Sequence, residues 1–358
     1  MKTRGNIELV KKLYGGDNML RAEWHMLLTA LTAKEKEYLR ALAATVAEEK
    51  FGKGVYIRGL IEISSYCRNN CFYCGLRAAN REAQRYRLTK EDILECCEQG
   101  SQLGFNTFVL QGGEDATQND EWLTDVVPAI HAAHPDKAIT LSVGERSAEA
   151  YRAFRKAGAD RYLLRHETRN DEHYSLLHPQ TMSASKRREC LKTLKEIGFQ
   201  TGSGMMIGSP GQTVEHLIDD IQFLEQLQPE MIGIGPFIPA AGTPFTGEPA
   251  GSIETTLLLI SLLRLRFPDA LIPATTALAT LHHKGRTQAI LAGANVVMPN
   301  LSPRSVRSKY SIYDNKATSG CEAAEEIEKL EKELNAIGYR INFARGDYNK
   351  KGTEKCIM

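Results

Sequence analysis

From residue 55 onward the chain repeats one pattern: a short apolar run, a polar loop, then an amphipathic helical stretch. Eight apolar runs fit short strands, at 55–64, 106–111, 138–143, 161–166, 201–207, 231–237, 272–277 and 295–298. Helical periodicity lies between them at 90–103, 121–133, 148–157, 186–197, 214–227, 254–266 and 284–292. Thr89 and Thr213 stand where N-caps would open two of these helices. Alternation of this kind predicts parallel strands joined by right-handed crossovers. Eight such units give an α/β chain, a full (β/α)8 TIM-type barrel. The competing doubly wound sheet lacks its usual mark, since no Gly-x-Gly-x-x-Gly follows the first strand. Residues 1–54 read as an N-terminal helical extension, 55–313 as the barrel, and 314–358 as a short C-terminal tail with a charged surface helix over 322–335 and a frayed end.

A formal net charge of +1 over 358 residues gives no field for a polyanion, so nucleic acid is not an expected partner. No charged segment followed by an apolar core opens the chain, which predicts no secretory signal. The most apolar stretch, 255–267, is interrupted by Arg264 and Arg266 and is too short to span a bilayer, so no membrane is expected. Eight cysteines in such a chain read as reduced thiols and metal ligands, which points to the cytoplasm.

The first strand runs into Cys67-Arg-Asn-Asn-Cys71-Phe-Tyr-Cys74. Three thiolates in this spacing suit three irons of a [4Fe–4S] cube and leave the fourth open for chemistry, whereas closed clusters take four thiolates. Two other uses stay open at this point: three-quarters of a zinc site, or a set of redox-active or buried thiols.

In parallel (β/α) folds chemistry collects at the carboxyl ends of the strands. Polar groups are dense there. The second strand ends in Gln111-Gly-Gly-Glu-Asp115 and the third carries Thr140, Ser142 and Glu145. The fourth ends in Arg165-His-Glu-Thr168, and the fifth carries Met205 and Met206. Thr275 and Thr276 lie on the seventh, and Met298 on the eighth, followed by Tyr310 and Tyr313. Plainer readings exist for several. Gly112-Gly113 could be only a turn. Arg165 and Glu167 share a strand face and could simply pair. Met206 could be core filler. The pair His282-His283 reads as solvated, and Cys96, Cys97 and Cys190 read as buried thiols on helices behind the barrel.

The aromatic Tyr73 before the last cysteine makes the loop resemble the radical S-adenosylmethionine (SAM) signature. The resemblance extends over about 55–313 through Cys74-Gly-Leu-Arg77, Val109-Leu-Gln111 with Gly113-Glu-Asp115, Arg161-Tyr-Leu-Leu-Arg-His-Glu-Thr168, Gly208-x-Pro-Gly-Gln-Thr213, Gly233-Ile-Gly-Pro-Phe-Ile-Pro239 and Pro273-Ala-Thr-Thr276. Within the biotin synthase-like group, the chain is similar to the HydE family of [FeFe]-hydrogenase maturases. The resemblance implies that Cys67, Cys71 and Cys74 hold one [4Fe–4S] cluster whose open iron is chelated by SAM. It implies further that Tyr73 lies by the adenine and the Glu114 loop, with Gly112 and Gly113, meets the methionyl ammonium. Glu167 would take the ribose hydroxyls, Arg187 the methionyl carboxylate, and Met206 and Ile312 the adenosine side. Gln111, Thr140, Arg165, Thr275, Thr276 and Tyr310 would form an anion-tolerant substrate pocket, with Met298 and Tyr313 at its wall.

The implied chemistry is one-electron cleavage of SAM to a 5′-deoxyadenosyl radical, acting on a small anionic or zwitterionic substrate. In that family the substrate is thought to be an iron dicarbonyl–cyanide–cysteine complex. A flavodoxin- or ferredoxin-type electron donor and other hydrogenase maturases are the implied partners. Methylornithine synthase, another member of the same group, is the alternative. Biotin synthase would need further cysteines on the barrel strands, and strands two to eight carry none. Some HydE relatives bind a second cluster through three C-terminal cysteines. Here only Cys321 and the distant Cys356 are available, so no second cluster is expected.

Overall fold

The computed structural model describes residues 2–317 and 323–349. Three helices lead in, Lys2–Tyr14, Arg21–Thr29 and Ala33–Phe51. The strands are β1 Gly54–Ile57, β2 Gly59–Ser64, β3 Thr107–Gly112, β4 Ala138–Ser142, β5 Arg161–Leu163, β6 Gln200–Ser203, β7 Met206–Ile207, β8 Met231–Ile232, β9 Gly235–Pro236, β10 Val296–Val297 and β11 Arg340–Asn342. All ladders between the named strands are parallel, and the largest sheet runs β2-β3-β4-β5-β6-β8. Isolated bridges carry the pairing on from Met231 to Leu271, from Pro273 to Val296, and from Asn300 to Leu60. Hydrogen-bonded neighbours therefore run in a circuit of eight segments, although the seventh is held by bridges and not by a ladder.

The crossover helices form where periodicity places them. Val214–Leu227 has its predicted bounds, and Thr89 and Thr213 both accept the expected cap hydrogen bond from the residue three further on. The helix Asp120–Ala133 shows why the elements pack as they do. It buries Leu123, Val126, Val127 and Ile130, one stripe at helical spacing, in the same core cluster as Phe108 and Leu110 of β3. Each such side chain contributes about 1.5–3 kcal/mol on burial.

Four departures from the sequence reading have physical causes. The first strand breaks at Arg58, where β1 pairs with β10 and β11 while β2 pairs with β3. The fifth and sixth break at Gly204 and Gly233, whose backbones nearly touch: a Cβ on Gly204 would lie 1.9 Å from the Gly233 carbonyl oxygen. The expected strand 272–277 does not form. Pro273 lacks an N–H for a ladder, and Thr275 instead occupies the N-cap position of a helix, Thr276–Leu281. Thr276 is thus helical, not a strand residue.

The tail is the fourth. After the helix Ala323–Asn335, β11 adds to β1 in parallel, a strand its short, half-exposed sequence does not announce. Beyond it the chain passes beneath the barrel, where the side chain of Arg161 donates to Asp347 Oδ1 at 2.6 Å and to the Arg345 carbonyl at 3.0 Å. Arg161 is 0% exposed and Asp347 40%. Removing the carboxylate strands a buried cation, whereas removing the arginine leaves a carboxylate that water can reach. Asp347→Ala is therefore expected to cost about 1–3 kcal/mol, and Arg161→Met less, in chemical denaturation. The reverse order would contradict this account of the barrel base. No helix among the described residues is long and apolar enough to cross a membrane.

Candidate active site

The cysteine loop leaves β2 and folds over the strand ends. Its turn is closed by Cys74 N–H donating to the Cys71 carbonyl at 3.4 Å and Ala78 N–H to the Asn69 carbonyl at 2.8 Å. Gly113 shows how closely the loop sits on the end of β3, since a Cβ there would lie 2.3 Å from the Tyr66 carbonyl oxygen and 2.7 Å from Cys67 Cβ. Gly112 is less constrained, its nearest neighbour being the Ile63 side chain at 3.0 Å. Of the two glycines, Gly113 is the one that space requires.

Burial raises all three thiol pKa values, and a neighbouring thiol adds to that at Cys71 and Cys74, the latter pushed up to about 12. Thiolates here need a metal's positive charge beside them. Among the described residues, no three His, Cys, Asp or Glu side chains converge where one ion could bind them all. A cube puts each thiolate on a different iron and needs no such convergence.

Around the loop the polar groups are paired in a chain. Glu114 accepts from Arg68 at 3.0 and 3.1 Å and from the Glu145 backbone N–H at 2.9 Å. Gly144 packs on it in the left-handed region (φ 79°), and a Cβ there would lie 2.2 Å from Glu114 Cγ. Glu145 and Arg187, both buried, stand 2.7 Å apart at an angle that makes no hydrogen bond. Despite burial, the surrounding phenols and the Glu145 carboxylate hold Arg187 firmly protonated. Arg165 grips Glu167 through two contacts of 3.0 and 2.7 Å, so the plain pairing of these two does occur. Glu167 has φ 65°, rare for a residue with a Cβ and usual at sites that aim a side chain.

Tyr73 donates to His178 Nε2 at 3.1 Å. The assignment follows from the other ring nitrogen. His178 Nδ1 lies 3.0 Å from the Tyr174 carbonyl, which can only accept, so Nδ1 carries the proton. Burial and then Arg187 lower the His178 pKa to about 4, so the ring is neutral. Its ordinary value is 6.5. As pH falls from 6.5 towards 4 the unfolded chain takes up a proton that the folded chain refuses, and stability is lost across that window. The loss is about 3 kcal/mol in all, and His178→Gln is expected to flatten that part of a stability–pH curve.

Met206 packs with Leu177 and Phe237 against Tyr73, which places it beside the loop aromatic. The Ile312 carbonyl accepts from Gly75 N–H at 2.9 Å. Gln111 donates to the Tyr310 hydroxyl at 3.3 Å. Burial lifts the Tyr313 pKa to about 12. The hydroxyls of Thr140 and Thr275 are buried without any partner. Thr276 sits in the helix that Thr275 opens. Met298 packs with Met231, Leu271 and Val296 near Tyr56 and Phe51. Glu62 was missed by the sequence reading, although a lone carboxylate in the apolar run of β2 is itself a signal. Lys316, which pairs with it, gave none. Cys321 and Cys356 lie outside the described residues. A separate surface groove of about 530 Å³, lined by Arg169, Asp171, Asp219 and Gln222, includes neither the cysteines nor Arg165.

The radical SAM superfamily model matches residues 61–224, which run from β2 through the helix after β7. The [FeFe] hydrogenase maturase subunit HydE of Thermotoga maritima is 45% identical over 280 residues, 78% of this chain and 80% of that protein. The chain belongs to the HydE family of radical SAM enzymes. The 3-methylornithine synthase of Methanosarcina barkeri is 30% identical over 88% of this chain and 87% of that protein. A crystal structure of a methylornithine synthase superposes with a TM-score of 0.84 at 27% identity, over 95% of this chain and 98% of the other. The expected enzyme class and fold class are thereby borne out. Membership of the HydE family implies a [4Fe–4S] cluster and SAM, and the residues here fit them. The chain supplies three soft thiol donors on one loop, the loop is seated on Gly113, and the unpartnered hydroxyls of Tyr174, Thr140 and Thr275 await polar guests.

Proposed function

We propose that this chain cleaves SAM reductively during maturation of the [FeFe]-hydrogenase diiron subcluster, acting on a small sulfur-containing, iron–cysteine substrate. The observation that carries the reading is the grouping, at one set of strand ends, of the three-thiol loop with the Glu114–Glu145–Arg187 chain and the Arg165–Glu167 pair. When bound, the cluster and SAM supply the electron and the adenosyl radical. The protein's own part is to bind, orient and keep water away. Cys67, Cys71 and Cys74 would hold the cluster. Tyr73, fixed by His178, would lie along the adenine with Met206 and Ile312. Glu114, on the loop of Gly112 and Gly113, would take the methionyl ammonium, Arg187 the carboxylate and Glu167 the ribose hydroxyls. Turning Glu167 to the ribose would free Arg165 for substrate, with Gln111, Thr140, Thr275, Thr276 and Tyr310 around it and Met298 and Tyr313 at the wall. A reduced flavodoxin or ferredoxin would supply the electron, other maturases would flank the step, and the enzyme would work in the cytoplasm.

Anaerobic reconstitution is expected to give the broad absorbance of a [4Fe–4S] cluster and dithionite-dependent 5′-deoxyadenosine. An absence of SAM cleavage in cluster-loaded protein would sink the enzymatic reading. The similarity to methylornithine synthases keeps one alternative in view. Formation of methylornithine, with no support of hydrogenase maturation, would favour it.

A further inference from the structure

Glu62 is the single charge in β2 and is fully buried. It stands in register with Gln111 of β3, which stands in register with Ser142 of β4. In-register residues of parallel neighbours share a sheet face, so Glu62 enters the same interior layer as Gln111. Its carboxylate accepts from Asn300 Nδ2 at 2.9 Å and from Lys316 Nζ. Lys316 comes from no strand. It belongs to a strap, 310–317, tied across the strand ends. Ile312 is held to Gly75 at 2.9 Å, Asp314 to Pro239 and Ala241 at 3.0 and 2.9 Å, and Ala317 to Thr280 Oγ1 at 2.9 Å. The Lys316 side chain is 8% exposed. It also donates to the Tyr310 carbonyl at 3.1 Å and lies 4.8 Å over the Tyr310 ring.

A pure tether would not need these charges. The cost of desolvating a buried ion pair offsets most of its Coulomb gain, and apolar groups of similar size hold as well. Further polar groups lie on the same interior layer and near the strap. Tyr310, the residue under Lys316, meets Gln111. The hydroxyls of Thr140 and Thr275 are buried and unpartnered.

We propose that Glu62 and Lys316 together bind a zwitterionic head group, an ammonium and a carboxylate on one carbon, as in an α-amino acid. The inference rests on reading the barrel interior as the substrate chamber. The ligand's ammonium lies on Glu62 and its carboxylate on Lys316, so four charges alternate around a square. The protein pair need not open, and no charge is left alone. A ligand with only a carboxylate sets an anion beside Glu62 without compensation. A ligand with only an ammonium does the same beside Lys316. Arg165 remains available for a second acceptor group.

The test uses cluster-loaded protein saturated with SAM, so that amino-acid chelation of iron is blocked. Calorimetric titration compares L-cysteine with 3-mercaptopropionate, which lacks the ammonium, and cysteamine, which lacks the carboxylate. L-Cysteine is expected to bind at least about tenfold tighter than either, since a hydrogen bond to a charged group contributes about 1.5–3 kcal/mol. Glu62→Gln should collapse the preference over 3-mercaptopropionate, and Lys316→Met the preference over cysteamine. Equal binding of the three by the wild type, or equal weakening of all three in each variant, overturns the proposal and leaves a tether. Thermal unfolding checks each variant, and if Glu62→Gln does not fold, Lys316→Met decides alone. Wild-type SAM cleavage without added ligand is measured separately. Cleavage without discrimination overturns only this inference, whereas no cleavage overturns the enzymatic reading.

Discussion

Cys71→Ala is expected to abolish both the cluster absorbance and the formation of 5′-deoxyadenosine, down to the background of cluster-free protein. Two thiolates hold only two corners of a cube, and the third corner has no substitute nearby. The neighbour of Cys71 Sγ is Met182 Sδ at 3.7 Å, and a thioether carries no charge to replace a thiolate. The fold should tolerate the change, since the loop is closed by backbone hydrogen bonds that an alanine keeps. Loss of stability is expected to stay near the about 1 kcal/mol typical of point changes. Cys96→Ala and Cys190→Ala supply the contrast. Those thiols are buried on the helices Lys90–Gln102 and Ala184–Ile197, and their loss should leave cluster content and SAM cleavage intact. Full cleavage by the Cys71 variant, or loss of the cluster on changing Cys96, would put the cluster somewhere other than this loop.

Arg165→Met is the second large effect, and its signature is a split between two rates. Burial works against the Arg165 charge, but Glu167 more than offsets it and keeps the guanidinium firmly protonated. A planar, half-buried donor fork binds an anionic or acceptor group far better than methionine can. Product formation, or maturation of hydrogenase, is expected to fall by about 10²–10³-fold, the equivalent of about 3–4 kcal/mol of lost transition-state binding. Uncoupled 5′-deoxyadenosine formation should fall much less. Glu167, released from its partner, would still reach SAM from its left-handed turn. If both rates fell together, Arg165 would belong to the SAM side of the site and the assignment of the substrate wall would be wrong.

Much of this was legible in the chain because the signals are local. The cysteine spacing, the helix stripes and the caps at Thr89 and Thr213 depend on neighbours within a few residues. The seventh segment was not legible, because whether Pro273-Ala-Thr-Thr276 extends or coils depends on which strands stand beside it. Nor was β11, since three half-exposed residues gain their ladder only by meeting β1 almost three hundred positions earlier. His178 falls in the same class. Its fixed tautomer comes from the Tyr174 carbonyl, yet its value to the site comes from Tyr73, more than a hundred residues away.

The sequence by itself determined the superfamily and the alternation of strands and helices, because the cysteine loop and the later strand-end motifs carry the resemblance and the alternation repeats along the chain. Tertiary structure alone decided what the interior presents to a substrate. It brought Lys316 from the tail onto Glu62 and His178 onto Tyr73. It left the hydroxyls of Thr140 and Thr275 without partners and passed the tail beneath Arg161. The physical reason is range. Backbone propensity and metal-ligand spacing act along the chain, whereas the cost of burying a charge or hydroxyl depends on what distant segments bring to meet it.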